Sequence, residues 1–201
     1  MRWGRLEIRG SFFLMAAWLN YLDRQQLVPL VLLACLFHEL GHYWAVRALG
    51  GEVRLVRLSA VGAEMALARP LGYWQEGVSA LAGPGMNLVL ALIFCLWDRG
   101  AVFAGLNLTL ACFNLMPVGP LDGGRAAVST LALFFGPGRA AAFLGVLEGV
   151  TVSLLLGTGV LLWKEGGSVT LLFVSLWLAI MAVSVKKNQI RTCHPGGKKV
   201  K

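Results

Sequence analysis

The stretch Leu27–Leu49, LVPLVLLACLFHELGHYWAVRAL, decides the reading of this chain. It is apolar over the roughly 20 residues that a helix needs to cross a hydrocarbon core, yet it carries His38, Glu39 and His42 near its middle. At about 100° per residue, positions i and i+4 share one helical face a turn apart, so both imidazoles can aim a ring nitrogen at one ion. Glu39, beside the first imidazole, can take a proton from water activated by that ion and return it to a departing amine. The competing reading is a chance HExxH match in a long helix. Against it, two histidines and a glutamate are costly in a lipid-length run, and intramembrane ionisable residues are functional by default.

The rest of the chain has the same character. Hydrophobic residues make up 57% and charged residues 14% of the 201, against roughly a quarter charged in soluble domains, so the class is a membrane protein. The net charge of +8 comes with no basic helix and no aromatic-interleaved basic stretch, which argues against nucleic acid as a partner. Cys35, Cys95, Cys112 and Cys193 form no CxxC pair, so neither a disulfide framework nor a Cys-type zinc site is expected.

Runs bounded by charge or Gly/Pro predict about six transmembrane helices. Five are clear: 27–49, 76–97, 101–116, 140–163 and 168–185; a sixth, 10–22, is short for a full span. Six spans place both termini on one side, and only Arg24, Arg99 and Lys164 of the 18 Lys and Arg residues fall on the other. The positive-inside rule then makes both termini cytosolic in a multi-pass arrangement. A cleaved signal peptide is the other reading of the N-terminus, where Arg2, Arg5 and Arg9 precede an apolar stretch, but no convincing small-residue cleavage site follows.

Between the second and third spans, 52–68 is not membrane-like, and its apolar residues come at irregular intervals divided by Gly62. Two short strands in a β-hairpin-like insertion are expected there, in an otherwise all-α polytopic fold. Residues 1–185 are read as one membrane domain and 186–201 as a basic cytosolic tail, disordered and attracted to anionic membrane lipid.

A catalytic metal site commonly has three protein ligands, and Asp122 is the candidate third. It lies in Asn114-Leu-Met-Pro117-Val-Gly-Pro120-Leu-Asp122-Gly-Gly, where Pro and Gly break a helix, and broken backbone at membrane depth is tolerated where it lines a cavity. The alternative is a solvated Asp in an N-cap-like position before a helix starting near Arg125.

Together these segments resemble the site-2 protease family of intramembrane zinc metalloproteases. The resemblance rests on HELGH in the second span, the intervening strands, Ala82-Gly83-Pro84 heading the third, and NLMPVGPLDGG in the fourth. It is most like the stage IV sporulation protease FB subfamily, without the CBS domain common there. The resemblance implies a zinc endopeptidase of a bacterial cell membrane holding one Zn2+ per chain through His38, His42 and Asp122, with Glu39 as catalytic acid/base. It also implies that Asn114, Pro117 and Pro120 hold substrate as an extended strand. The implied substrate is a membrane-associated protein such as a sporulation pro-sigma factor, with a membrane inhibitor or regulatory partner.

Two other classes stay open: a non-proteolytic metal-binding membrane scaffold, of which an altered Glu39 would have been the sign, and a metal-ion carrier, for which repeated halves are expected and not found. Asn87 can serve substrate or oxyanion binding or helix-to-helix bonding. Glu148, inside the fifth span, is read as interfacial or hydrogen-bonded between helices and stays outside the site. Gly83 and Gly85 are expected to permit close helix packing, and Trp18, Trp44, Trp74, Trp97 and Trp163 to sit at membrane interfaces.

Overall fold

A computed structural model describes residues 2–3, 6–59, 62–167 and 169–192. The basic tail expected to be disordered lies, from residue 193 on, outside the described residues. The chain divides into two compact units, Met1–Leu115 and Met116–Lys201.

The first unit opens with strands β1 (Arg2–Trp3) and β2 (Leu6–Ile8), followed by helices α1 (Gly10–Leu22) and α2 (Val28–Ala48). Strands β3 (Val53–Ser59) and β4 (Gly62–Leu67) come next, then helix α3 (Tyr73–Phe94), a single 3-10 turn at Asp98–Gly100, and helix α4 (Ala101–Asn114). The expected hairpin is present as β3 and β4, in the register Val56↔Met65 and Arg57↔Glu64.

The all-α description needs correction, because the hairpin is half of a four-stranded sheet in the order β1-β2-β3-β4. The basic N-terminal residues, for which a signal peptide was the other reading, supply two strands, with β2 parallel to β3. Arg57 of β3 stands between Glu7 of β2 at 3.3 Å and Glu64 of β4 at 3.6 Å, so opposite charges face each other across neighbouring strands. A register shift between Val53 and Leu55 resets the alternation of side chains, which explains the irregular apolar spacing of this segment.

Helices α2 and α3 are long and apolar enough to cross a membrane, as is the helix Pro137–Lys164 of the second unit. The fourth expected span is shorter than 101–116: α4 has 14 residues, about 21 Å at 1.5 Å per residue, against a hydrocarbon core of about 30 Å. α1, with 13 residues, is shorter still. In this unit α3 packs against both α2 and α4. Large apolar side chains point outward, among them Leu14, Leu92 and Leu96, and the five tryptophans assigned to membrane interfaces are all exposed. Apolar exposure on this scale is foreign to a soluble monomer.

The second unit contains α5 (Asp122–Phe135), α6 (Pro137–Lys164) and α7 (Thr170–Thr192), with α6 packed against α5 and α7. Gly136, at φ +79°, ends α5, and Pro137 starts α6 where its missing N–H costs nothing.

Local chemistry sets the limits of α2. Before it, the Asp23 carboxylate accepts the Val28 N–H at 2.6 Å and the Gln25 N–H at 3.2 Å, doing the work of a cap for amides that no helical carbonyl reaches. At its end Gly50, at φ +79°, lets the Gly51 N–H reach the Val46 carbonyl at 2.8 Å and the Gly50 N–H reach Arg47 at 3.1 Å, closing a Schellman motif.

The Val28 N–H, with the amides of Leu27, Gln25 and Gln26, holds the Asp23 carboxyl below its ordinary value of 3.8. A depressed folded-state pKa contributes stability above the ordinary carboxylate value, lost as pH falls through the folded value. Asp23→Ala should therefore lower the thermal midpoint of the detergent-solubilised chain at neutral pH, and the gap from wild type should close as pH drops below the folded value. A gap that stays constant with acidification would show that the charge of Asp23 is immaterial.

Candidate metal centre

On α2 the i, i+4 spacing brings His38 and His42 together as expected, both 6% exposed, with their rings edge to face at 4.7 Å. The partner of each ring's other nitrogen settles what they can do. His42 Nδ1 lies 2.7 Å from the Ser79 carbonyl of α3. A carbonyl only accepts, so Nδ1 carries the proton and Nε2 the lone pair. His38 Nδ1 lies 2.7 Å from Asn87 Oδ1, also on α3. The Asn87 amide nitrogen is engaged as a donor to the Ala34 carbonyl at 3.3 Å and to Asn107 Oδ1 at 2.7 Å, so Oδ1 faces His38 and accepts. The two Nε2 atoms approach to 3.1 Å.

In neutral rings that approach sets lone pair against lone pair, an arrangement a cation between them relieves. Tetrahedral zinc with Zn–N of about 2.0–2.1 Å would place two nitrogens about 3.3 Å apart, close to the separation found. Each imidazole also has the outer hydrogen bond that metal-ligating histidines almost always show. The pair fits a metal on its own geometry.

Glu39, half-buried, follows His38 on the same helix. Asp122 belongs to the second unit. It is 7% exposed, and it is the first residue of α5 rather than a capping residue before a helix near Arg125, since the cap position is Leu121. Its Oδ1 lies 3.3 Å from Arg125 Nη1, and a helix N-terminus favours negative charge. His38 and His42, two buried imidazoles, are donors that could bind a metal ion, and Asp122 is a buried carboxylate of the type that commonly completes such a pair.

The other expected site residues precede Asp122 in the chain. Asn114 ends α4, its side-chain amide donating to the Leu110 carbonyl at 3.0 Å. Pro117 and Pro120 lie half-buried in the connection before α5, where the Leu121 N–H bonds the Val118 carbonyl at 2.9 Å. Gly124 accommodates that turn, since a Cβ there would meet the Val118 carbonyl oxygen at 2.2 Å. Glu148, 5% exposed on α6, accepts the Gly119 N–H at 3.4 Å. It is thus tied to this connection rather than placed at an interface.

Sequence reasoning read one role in part and missed two. Asn87 makes the expected helix-to-helix bonds, to His38 and Ala34 of α2 and Asn107 of α4, and through the first of them it orients a ring nitrogen of His38. The Ser79 carbonyl carried no signal, being backbone. Asn107 was legible in principle as an amide inside an apolar run. Among the glycines, Gly83 does permit close packing, since a Cβ there would stand 2.3 Å from His42 Nε2, whereas Gly85 has nothing within 4 Å.

Replacing Gly83 with Ala must displace a ring pinned by Ser79. The overpacking cost of about 1–3 kcal/mol outweighs the helix-propensity gain of about 1 kcal/mol. Gly83→Ala should lower the thermal midpoint and the bound zinc measured by atomic absorption, while Gly85→Ala leaves zinc at wild-type level. Equal zinc content in the two variants would contradict this packing.

Comparisons with known proteins agree in direction. No family model matches the chain. A protein of Synechocystis sp. named "Putative zinc metalloprotease sll0528" is 38% identical over 104 residues, covering 46% of this chain. The match spans about a quarter of that relative's length, 27%. The site-2 protease from Methanocaldococcus jannaschii superposes with a TM-score of 0.64 over 89% of each chain at 21% identity. The fold is that of this site-2 protease.

Proposed function

We propose that the chain is an intramembrane zinc endopeptidase of the site-2 protease family. The observation that carries the reading is the pair of buried imidazoles, each fixed by an Nδ1 hydrogen bond, presenting two Nε2 atoms 3.1 Å apart with Glu39 beside them. His38, His42 and Asp122 are the ligands and Glu39 the general base. The shared fold and the partial match to a zinc metalloprotease support the same chemistry.

Zinc held there would supply Lewis acidity toward a peptide carbonyl and toward water. Glu39 takes the proton of the attacking water and delivers it to the leaving amine, a contribution of about 10²–10⁴-fold. Cleavage requires an extended peptide, because a helix turns its carbonyls into its own hydrogen bonds. Asn114, Pro117 and Pro120 hold that extended strand, in a connection whose prolines cannot close a helix of their own.

The reading extends to topology and client. In this reading the chain crosses a bacterial cell membrane six times with both termini in the cytosol, residues 1–185 forming the protease domain and 186–201 a basic tail at the lipid surface. The substrate is a membrane-associated transcription-factor precursor such as a sporulation pro-sigma factor, under the control of a membrane inhibitor or regulatory partner.

Co-expression of the chain with a membrane-tethered pro-sigma precursor tests this, with Glu39→Gln beside it and zinc assayed in both purified proteins. Wild type should cut, and Glu39→Gln should keep its zinc and cut at least about 100-fold more slowly. Cleavage by Glu39→Gln at the wild-type rate would refute the assigned base. Two zinc-loaded proteins that both leave the precursor intact would refute the substrate.

A further inference from the structure

We propose that Asn107 and Asn87 form a positioning relay that sets, from the backbone of α4, which nitrogen of His38 is offered to the metal. The inference rests on the metal-centre reading above and assigns a role to two fully buried amides, both 0% exposed.

The relay is directional. At its far end the Phe103 carbonyl, an obligate acceptor, lies 2.8 Å from Asn107 Nδ2. That fixes the Asn107 amide with Oδ1 turned toward α3, where it accepts from Asn87 Nδ2 at 2.7 Å. Asn87 Nδ2 has a second acceptor in the Ala34 carbonyl of α2 at 3.3 Å. The Asn87 amide is therefore fixed in turn, leaving Oδ1 to accept from His38 Nδ1 at 2.7 Å. Reversing either amide would set acceptor against acceptor in a buried site, a penalty larger than the net gain of an ordinary hydrogen bond. The other His38 tautomer, protonated on Nε2, is excluded by the same polarity.

Helix bonding alone does not require this order, because amide pairs between helices can run in either direction. Here a backbone carbonyl at one end and a metal ligand at the other define the direction, and each link has one allowed sense. The relay also joins functional parts: α4 carries Asn107 and, two turns on, Asn114. The helix that ends in the proposed substrate-binding asparagine is thereby hydrogen-bonded to the ring of a proposed metal ligand.

The test uses the purified full-length chain and metal alone. Zinc affinity is read by chelator competition and ligand geometry by the visible absorption of the Co2+ form, each compared with the thermal midpoint of the metal-free protein. Asn87→Leu removes the acceptor from His38 and should weaken zinc about 10–100-fold and alter the Co2+ spectrum. Asn87→Asp keeps an acceptor for His38 Nδ1 while losing the donor to Asn107, and should weaken zinc less than Asn87→Leu does. Asn107→Leu should weaken zinc in the same direction by less. Asn107→Asp keeps an acceptor for Asn87 Nδ2 and should bind zinc more tightly than Asn107→Leu.

If the leucine variants lower only the thermal midpoint, with zinc affinity and Co2+ spectrum unchanged, the amides serve packing and the relay is wrong. Should Asn87→Leu fail to fold, the Asn107 pair decides, and equal affinities for Leu and Asp would overturn the relay. A chain whose zinc affinity follows the relay but which cleaves no peptide removes the protease reading and leaves the relay standing. A wild-type chain that binds no zinc removes both.

Discussion

Two ring nitrogens facing each other at 3.1 Å are an unfavourable arrangement in an apolar bundle, and much of the first unit is built to hold them there. Each imidazole is restrained from the side opposite to the metal face, His42 by a backbone carbonyl and His38 by an amide that is itself restrained. Both restraints come from α3, the most enclosed of the three long apolar helices. Pro84 lies inside α3 and is fully buried. It withdraws one N–H from the helix ladder at the Ala80 carbonyl, one residue beyond the Ser79 carbonyl used by His42. The polar groups that serve the centre and the local break in helical bonding thus share one turn.

Such restraint needs the helices very close, and glycine supplies that closeness. A Cβ on Gly41 would lie 2.6 Å from the Ala82 carbonyl oxygen, and one on Gly83 would enter the His42 ring. Hydrophobic attraction between helices is weak in lipid, where the tails are as apolar as leucine, so close van der Waals packing and interhelical hydrogen bonds carry the association. The HELGH segment therefore does two jobs: its histidines and glutamate are chemical, while Gly41 between them allows α3 to approach and deliver Ser79 and Asn87.

What was legible in the sequence follows from the range over which each signal acts. The His38–His42 pair was readable because helix geometry fixes i, i+4 neighbours, and the β3–β4 hairpin because Gly62 interrupts a polar-apolar run. The sheet was only half readable. Strand β2 pairs in parallel with β3 across more than forty positions of sequence, and no local pattern in three residues announces such a partner. The start of α5 was misplaced because Asp, Gly and Gly are poor helix formers, yet Gly124 is needed where the preceding turn crosses it. Asn87 was noticed as a polar residue in an apolar helix, but its partners could not be named without knowing that α3 packs against both α2 and α4.

Asp122, in the second unit, is positioned by a different logic from the two imidazoles. Asp122 is placed by a chain break: the connection from 116 to 121 turns back over Gly124, and the helix that follows begins with the acid itself. There the N-terminal end of the helix and the guanidinium of Arg125 both favour negative charge. The connection is held in turn by Glu148, which comes from mid-helix in α6 and binds the Gly119 N–H. A lone acid mid-span and a proline-rich connection thus explain one another. The connection cannot satisfy all its amides in a helix, and the acid supplies an acceptor where lipid supplies none.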